Sequence, residues 1–252
     1  MPINRRDFLG FAAVGVAAST SLGRAADRHG IKAVAFDGFT TFDPRPIAAL
    51  AERLYPGNGA ALTSAWRTRQ FEYTWLRTLM NRYADFWQVT EEALVFAAST
   101  VKLELTTEKR GELMQAWLEI KAWPDALPAL RALKEAGVRL AFLSNLTAAM
   151  IDAWVKNSRL EGIFEPHLST DRVRAFKPDP RAYQMGIDAF RLGREEIVFA
   201  AFGGWDAAGA RVFGYPTFWV NRGKTPVEEL GVAADATGAD LHDLARFVLS
   251  GR

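Results

Sequence analysis

Cysteine is absent from the 252 residues, and histidine occurs only three times, at widely separated positions. The absence of cysteine excludes disulfides, thiolate zinc sites and thiol nucleophiles. Blocks of like charge are also absent, the net charge is only +2, and no basic stripe carries interleaved aromatic residues. The charge pattern therefore gives no indication of a nucleic acid as a partner. Carboxylates, hydroxyls and lysine remain as candidate reactive groups.

The composition is that of a folded protein. Hydrophobic residues make up 49% of the chain and charged residues 24%. A chain of this length and composition can bury a sizeable core and fold as one domain, or as one domain with an insertion.

The first 26 residues differ from the rest. The stretch "NRRDFLGFAAVGVAASTSLGRAA" places Arg5 and Arg6 before an apolar run of small residues that is too short to span a bilayer. It resembles a twin-arginine signal, with cleavage expected near Ala25 or Ala26. Such a signal implies a protein exported in folded form to the periplasm, without a stable membrane anchor after cleavage. The alternative interpretation is an amphipathic N-terminal helix.

From residue 30 the chain contains short apolar runs, and each run is followed by a turn and then by an amphipathic segment. This pattern is typical of buried parallel strands joined by crossover helices, and it predicts an α/β fold. The predicted strands are 31–37, 138–145, 196–202 and 216–220, with 166–171 as a weaker candidate.

The pattern between residue 45 and about residue 123 is helical throughout, and its longest piece covers 62–87. We interpret this segment as a helical insertion after the first strand. The predicted organisation is therefore an α/β core over 30–45 and 124–252, with a helical cap over 46–123.

Polar residues follow the predicted strands at their carboxyl ends, where ligands bind in open parallel sheets. Asp37 follows the first strand, Ser144 and Asn145 end the second, Lys177 lies in a loop, and Asp206 comes after "AAFGGW". Taken singly, such an Asp or Ser is more often a helix N-cap, and such a Lys can be a surface residue of a turn. The four positions in order indicate a site.

This order resembles the haloacid dehalogenase superfamily, and within it the type II (S)-2-haloacid dehalogenases. The resemblance implies a doubly wound parallel sheet with an inserted helical cap. It is carried by "FDGFTTFD", "WRTRQFEYTWLRTLMNRYADFWQVTEEAL", "LAFLSN", "KPDPRAY", "WDAAGARVFGYPTFWVNR" and "EELG".

The resemblance implies a nucleophilic carboxylate. Asp37 is expected to attack C2 of a 2-haloalkanoate with inversion and form an aspartyl ester, which water then hydrolyses. Lys177 is expected to keep Asp37 ionised, and Thr41 to hydrogen-bond it. Asp206 is expected to orient or activate the water, with Tyr183 supporting the polar network.

The resemblance also implies how a small substrate is bound. Ser144 and the backbone at Gly38 and Phe39 are expected to hold its carboxylate. Arg67 and Asn145 are expected to receive the departing halide.

An apolar pocket is expected from Phe39, Phe86 and Trp205, because a carboxylate attacks faster when water is kept away from it. On the residues alone, Phe86, Trp205 and Tyr183 are equally well explained as packing residues. Arg67 is equally well explained as a solvated charge on a helix.

Phe39 stands where phosphatases of this superfamily carry a second acid, two residues after the nucleophile. The resemblance therefore implies no metal and no other cofactor. Asp43 is given a structural role in closing the turn.

Two positions depart from the dehalogenase pattern. Ala201 and Gly203 stand where a Ser and an Asn normally supply hydrogen bonds, and losing one such group commonly costs about 100-fold to 1000-fold in rate. Thr40 is a new candidate donor in the first turn.

Three functions remain open at this point. The first is hydrolytic dehalogenation of a small 2-haloacid, and the second is a slow or inactive relative that binds a small carboxylate. The third is a phosphatase of the same superfamily. A homodimer through the cap helices is compatible with the aromatic residues of 66–87.

Overall fold

The computed structural model describes residues 30–250 of the chain. The predicted export signal over residues 1–26 lies outside this range. Within the range, no helix combines the length and the apolarity that crossing a bilayer requires.

A six-stranded parallel sheet forms the centre of the molecule, and it confirms the predicted α/β fold class. Every neighbouring pair of strands is parallel, so each connection crosses over one face of the sheet. The strand order is β5-β4-β1-β6-β7-β8, formed by β1 (Ala33–Phe36), β4 (Arg139–Ser144), β5 (Leu168–Ser169), β6 (Ile197–Ala201), β7 (Thr217–Val220) and β8 (Ala236–Gly238).

Helices cover both faces of the sheet, because successive strand residues point to opposite sides. Val34 and Phe36 pack into one apolar cluster, and Ala33 and Ala35 into another. The first cluster contains α6 (Ala126–Glu135), α7 (Ala148–Asn157) and α10 (Leu241–Leu249), and the second contains α8 (Pro180–Phe190) and α9 (Gly204–Phe213).

A short turn joins β1 to a small second sheet. The one-turn helix α1 (Gly38–Thr41) leads into β2 (Phe42–Asp43), which pairs antiparallel with β3 (Lys121–Ala122). Asp43 accepts hydrogen bonds from the Arg45 backbone N–H at 3.0 Å and from the Arg45 guanidinium. These two strands carry the chain into and out of the helices that lie between them.

Four helices lie between β2 and β3, and we call them the cap. Their apolar residues belong to the same cluster as one face of the sheet, so the cap packs directly on the core. The helices are α2 (Arg45–Leu54), α3 (Gly59–Leu79), α4 (Phe86–Thr100) and α5 (Thr107–Leu118).

The longest helical piece of the prediction, 62–87, is interrupted in the structure. Helix α3 ends at Leu79, and Asn81 follows with a left-handed φ of 54°. Helix α4 then starts afresh because the Asp85 side chain caps it, accepting from the Gln88 N–H at 2.8 Å. The apolar spacing continues across this turn, so periodicity alone did not reveal the break.

Candidate active site

Asp37 lies directly after β1, at the edge of the sheet where the carboxyl ends of the strands meet. Its backbone N–H bonds the Ala200 carbonyl of β6 at 2.9 Å, which fixes it to the neighbouring strand. Its Oδ1 caps helix α1 by accepting from the Phe39 N–H at 2.9 Å. The Asp37 side chain therefore caps α1 through Oδ1, and its second oxygen, Oδ2, is left for contacts with the other side chains of the site.

Lys177 reaches Asp37 from the loop before α8. Its Nζ lies 2.7 Å from Asp37 Oδ2 and 2.6 Å from Asp206 Oδ2, and its side chain is fully buried. Burial by itself lowers the pKa of a lysine, but the charges of Asp206 and Asp37 outweigh it and raise the pKa of Lys177 above its usual value. The ammonium therefore stays charged between the two carboxylates.

Asp206 lies in the first turn of α9 and is enclosed on all sides. Its Oδ1 accepts from the Tyr183 hydroxyl at 2.7 Å. Burial raises the pKa of Asp206 to about 6; the nearby Lys177 opposes this shift and the Asp37 charge adds to it. Burial, followed by the charge of Asp206, raises the pKa of Tyr183 well above 10, so Tyr183 remains a neutral donor.

Of the two threonines of the first turn, Thr40 hydrogen-bonds Asp37, and Thr41, for which the resemblance implied this bond, does not. Thr40 donates its hydroxyl to the backbone carbonyl of Asp37 at 2.7 Å, whereas Thr41 Oγ1 lies 3.4 Å from Thr40 Oγ1. Within residues 30–250 no hydrogen bond joins Thr41 to the Asp37 side chain.

Ser144 and Asn145 lie at the end of β4, next to the Asp37 turn. The Asn145 side-chain oxygen accepts from the Lys177 backbone N–H at 2.9 Å, and this bond fixes the start of the lysine loop. A Cβ on Gly38 would lie 2.5 Å from the Leu146 side chain and 3.3 Å from Ser144 Oγ. The strand end can approach the turn this closely only because residue 38 is glycine.

Arg67 extends from cap helix α3 toward Asp37. Its guanidinium carbon lies 4.9 Å from the ring centres of Phe39 and Phe71 and 5.7 Å from that of Phe202. Burial lowers the pKa of Arg67 to about 10, and the charge of Asp37 opposes the shift, so the side chain is still a cation at neutral pH. Neither a hydrogen bond nor an ion pair ties this guanidinium to a carboxylate among the described residues.

These side chains surround a cavity of about 530 Å³ between the cap and the carboxyl ends of the strands. Its lining includes the three acids Asp37, Asp206 and Glu228 and five aromatic side chains. The sequence-predicted residues that line it are Asp37, Phe39, Arg67, Phe86, Ser144, Asn145, Trp205 and Asp206. Tyr183, Lys177 and Thr41 stand behind this wall. No group of three or more His, Asp or Glu side chains suited to a metal ion occurs in the described part of the chain.

The cavity also has walls that the sequence did not single out. Phe71 follows Arg67 by one helical turn, and Phe202 comes directly after β6. Phe202 could have been found by the criterion that identified Asp37, since it too follows a buried strand. Asn221, Thr225 and Glu228 belong to an irregular segment after β7; two of them lie in stretches that carry the family resemblance, but the resemblance assigned them no role in the site.

The two expected departures from the dehalogenase pattern are Ala201, the last residue of β6, and Gly203, which precedes α9. Ala201 is fully buried in the sheet and has no side-chain donor. A Cβ on Gly203 would lie 2.7 Å from the indole nitrogen of Trp205, so the indole occupies the space of a side chain at residue 203. Asp37 and Asp206 are accordingly the only side chains that hydrogen-bond Lys177 Nζ within residues 30–250.

Comparison with known proteins gives consistent results. Residues 19–214 match the model of the haloacid dehalogenase-like hydrolases. The (S)-2-haloacid dehalogenase of Pseudomonas sp. strain YL is 41% identical over 206 residues, which are 81% of this chain and 89% of the relative.

Two solved structures are similar over most of their length. The crystal structure of the L-2-haloacid dehalogenase RSc1362 has a TM-score of 0.85 and 41% identity, covering 87% of this chain and 99% of that one. The L-2-haloacid dehalogenase of Xanthobacter autotrophicus with covalently bound chloropropionic acid has a TM-score of 0.79 and 35% identity, covering 86% and 98%.

Proposed function

Because the chain belongs to the (S)-2-haloacid dehalogenase family of the haloacid dehalogenase-like hydrolases, we propose that it hydrolyses small 2-haloalkanoic acids to 2-hydroxy acids. One observation carries the proposal. A buried ammonium holds the strand-end carboxylate of Asp37 at 2.7 Å, facing a cavity into which the cation of Arg67 also points.

In the first step an oxygen of Asp37 attacks C2 of the substrate from the side opposite the halogen. The C2–oxygen bond forms while the carbon–halogen bond breaks, and the halide leaves with the bonding electrons. Lys177 keeps Asp37 ionised for this attack. Arg67 receives the halide, together with Asn145, because a guanidinium enclosed by aromatic rings attracts an anion more strongly than it does in water.

The substrate carboxylate binds beside the nucleophile. Ser144 Oγ accepts from the Leu146 N–H at 3.4 Å, so its own proton is free to be donated to a substrate oxygen. Phe39 lines the same cavity, and the backbone N–H groups of the turn that begins at Gly38 hold the other substrate oxygen. The rings of Phe86 and Trp205 exclude water from the alkyl chain.

In the second step water attacks the carboxyl carbon of the Asp37 ester. Asp206 takes the proton of the attacking water, and the bond between that carbon and the substrate oxygen breaks. The leaving alkoxide takes the proton from Asp206 and departs as the 2-hydroxy acid, the second proton of the water passes to solvent, and Asp37 regains its carboxylate with one oxygen from water. Tyr183 holds Asp206 in the orientation for this transfer.

A second candidate is a slow relative that forms the ester but hydrolyses it poorly. It is favoured by Ala201 and Gly203, which provide no side-chain donor for the water or for Lys177. Each missing donor can lower the rate about 100-fold or more. In this case the protein binds small 2-haloacids covalently and is inactivated, because each molecule remains as the Asp37 ester.

Halide release from (S)-2-chloropropionate tests both candidates. We expect chloride release that continues over many turnovers and yields the hydroxy acid of inverted configuration. The Asp37→Asn variant is the control and should release none. A covalent mass increase on Asp37 with a single burst of chloride supports the slow relative. An unmodified wild-type protein that releases no chloride contradicts both.

The same assay with EDTA addresses the expectation that no metal takes part. We expect the rate of chloride release to be unchanged by the chelator. A rate that falls with EDTA and returns with magnesium contradicts this expectation.

We also propose that the protein is exported to the periplasm by its N-terminal 26 residues. The support is the Arg5–Arg6 pair, the short apolar run after it and the small residues at its end.

We further propose a homodimer through the cap. The support is a set of large apolar side chains exposed on α3 and α4, namely Leu76, Leu79, Met80, Val95 and Phe96. Exposed apolar patches of this kind commonly mark protein interfaces.

A further inference from the structure

The turn that carries the nucleophile is too short to hold its own shape. Helix α1 has four residues, Gly38–Thr41, and a single turn forms few internal hydrogen bonds while leaving its last carbonyls without helical partners. The orientation of this turn nevertheless decides where the Phe39 N–H points, and that N–H donates to Asp37 Oδ1. Contacts from outside the turn must therefore fix it.

Trp123 supplies two of these contacts. Its indole N–H donates to the Phe39 carbonyl at 3.4 Å, and its backbone N–H donates to the Thr41 carbonyl at 2.9 Å. Trp123 follows β3 directly, so it lies where the chain returns from the cap.

Arg222 supplies the contact to the remaining carbonyl. Its Nε and Nη2 donate to the Thr40 carbonyl at 3.2 and 2.8 Å. The same guanidinium forms a bidentate pair with Asp125 at 3.0 and 2.8 Å and lies 4.5 Å from the Trp123 ring centre. Its side chain is only 9% exposed, so these bonds are shielded from solvent.

Asp125 is itself held in place. It accepts from the Leu241 N–H at 2.8 Å, which ties it to the start of α10. Burial favours the neutral acid, but the hydrogen bonds from Arg222 and Leu241 lower the pKa of Asp125 below its usual value. The carboxylate is therefore ionised at neutral pH and orients the guanidinium.

We propose that Arg222, oriented by Asp125, is a positioning residue of the reaction, and that with Trp123 it anchors the carbonyls of the nucleophile turn. A peptide carbonyl and its N–H point in opposite directions in one plane. The Phe39 N–H shares its peptide plane with the Gly38 carbonyl, which accepts from the Phe42 N–H, and the Phe42 N–H shares its plane with the anchored Thr41 carbonyl. Anchoring the carbonyls of Phe39, Thr40 and Thr41 therefore fixes the tilt of the turn, and with it the direction of the Phe39 N–H toward Asp37. Arg222 itself lines none of the 530 Å³ cavity.

The inference rests on the proposed function and predicts a particular kinetic signature. Losing the anchor leaves the side chains of Ser144, Asn145 and Arg67 in place, so most of the substrate binding is kept, but it loosens the attacking carboxylate together with the backbone of its turn. We expect kcat to fall about 100-fold, the cost of a displacement on the order of 1 Å, while KM changes little.

Arg222→Gln is the test variant, and Arg139→Gln is its matched control. Arg139 makes the same kinds of contact far from the site, with a bidentate pair to Glu165 at 2.6 and 2.8 Å and a bond to the Phe190 carbonyl at 2.6 Å. We expect kcat to fall only in Arg222→Gln. Arg222→Lys should recover part of the loss, because an ammonium can still donate to the Thr40 carbonyl. Equal kcat values for the two Gln variants would overturn the proposal.

Trp123→Phe keeps the inference testable if Arg222→Gln does not fold. It removes only the indole N–H, and we expect it to lower kcat with KM nearly unchanged. A Trp123→Phe enzyme with the kcat of the wild type contradicts the proposal.

Hydrogen exchange separates failure of this inference from failure of the proposed function. The amides of residues 38–42 should exchange faster in Arg222→Gln than in the wild type or in Arg139→Gln, whatever the substrate. A wild type that releases no halide refutes the proposed function, while unchanged exchange at residues 38–42 refutes the anchor.

Discussion

The carboxyl group of Asp206 shares one ammonium with Asp37, so the charge of Lys177 balances only one of these two carboxylates when both are ionised. Asp206 is the more enclosed of the two, with 1% of its side chain exposed against 11% for Asp37. Removing a carboxylate from water favours its protonated form. The first proton taken up on acidification is accordingly assigned to Asp206, whose pKa is raised to about 6.

We predict an acid limb in the pH profile of kcat with an apparent pKa near 6. Asp206 must be ionised to take the proton of water, so the rate should fall about tenfold per pH unit below that value. The raised pKa of Lys177 predicts no alkaline loss from the lysine, whereas Arg67, whose pKa burial lowers to about 10, should begin to lose its charge as the pH approaches 10. The measurement is kcat for halide release between pH 4.5 and 10.

The Tyr183→Phe variant checks the assignment of this limb. Tyr183 stabilises the charged form of Asp206, so its loss should move the limb upward by about one pH unit. Tyr215→Phe is the control, because the Tyr215 hydroxyl donates to the Tyr183 backbone carbonyl at 2.6 Å and not to Asp206. A limb that stays in place in Tyr183→Phe contradicts the assignment.

The same ionisation contributes to stability with the opposite sign. The folded pKa of Asp206 lies above its value in an unfolded chain, so between about pH 4 and pH 6 the native state binds a proton that the unfolded state lacks. The contribution of this group to the free energy of unfolding therefore decreases as the pH rises through that window. Above about pH 6, Asp206 is ionised and can act as a base, and in the same pH range its contribution to the free energy of unfolding is lower.

At the scale of elements, the central strands could be predicted because parallel strands buried on both faces are continuous apolar runs. Strands β1, β4, β6 and β7 lie inside the four predicted segments, and the weaker candidate contains β5. The polar residues that follow these strands could be predicted too, because an acid or a hydroxyl side chain stands out directly after an apolar run. Asp37, Ser144 and Asp206 were recognised in this way.

Elements that depend on tertiary contacts could not be predicted. Strand β8, with the sequence "ATG", is an edge strand that lacks an apolar run and is defined by its pairing with β7. Arg222 is one charge in a loop, and its role comes from Asp125 and Thr40, which lie 97 and 182 residues away in sequence. The hydrogen bond to Asp37 comes from Thr40 and not from the expected Thr41, because the four residues after Asp37 form a helical turn that the sequence did not indicate.

Helices α3 and α4 carry the next prediction, which concerns the dimer. The side chain of Leu79 is 80% exposed and that of Met80 is 59% exposed at the end of α3, and Phe96 on α4 is 40% exposed. We predict a dimer in sedimentation velocity, and a monomer when Leu79 and Met80 are both replaced by Glu, because two charges cannot be buried unpaired in an apolar contact.

Val212→Glu is the control for surface charge. Val212 is 76% exposed at the end of α9, outside the cap, and its replacement should leave the dimer intact. The Leu79→Glu, Met80→Glu monomer should retain halide release, since every side chain lining the cavity belongs to one chain. A monomeric wild type contradicts the proposed interface.

At the scale of the whole molecule, the site depends on three parts of the chain that are far apart in sequence. The α/β core supplies Asp37 after β1 and Asp206 in α9, the cap supplies Arg67, and the segment after β7 supplies Arg222. The Lys177 ammonium is enclosed only when these parts have come together. A protein built in this way has no working site until it is fully folded, which suits a route that exports folded proteins.

The final prediction concerns that route. Replacing Arg5 and Arg6 together by Lys should abolish export, because the pathway recognises the arginine pair and not positive charge alone. We expect the wild-type protein in the periplasmic fraction with its first 25 or 26 residues removed, and the double variant uncleaved in the cytoplasm. Arg24→Lys makes the same exchange outside the pair and should be exported normally. Periplasmic recovery of the double variant, or an uncleaved cytoplasmic wild type, contradicts the proposed signal.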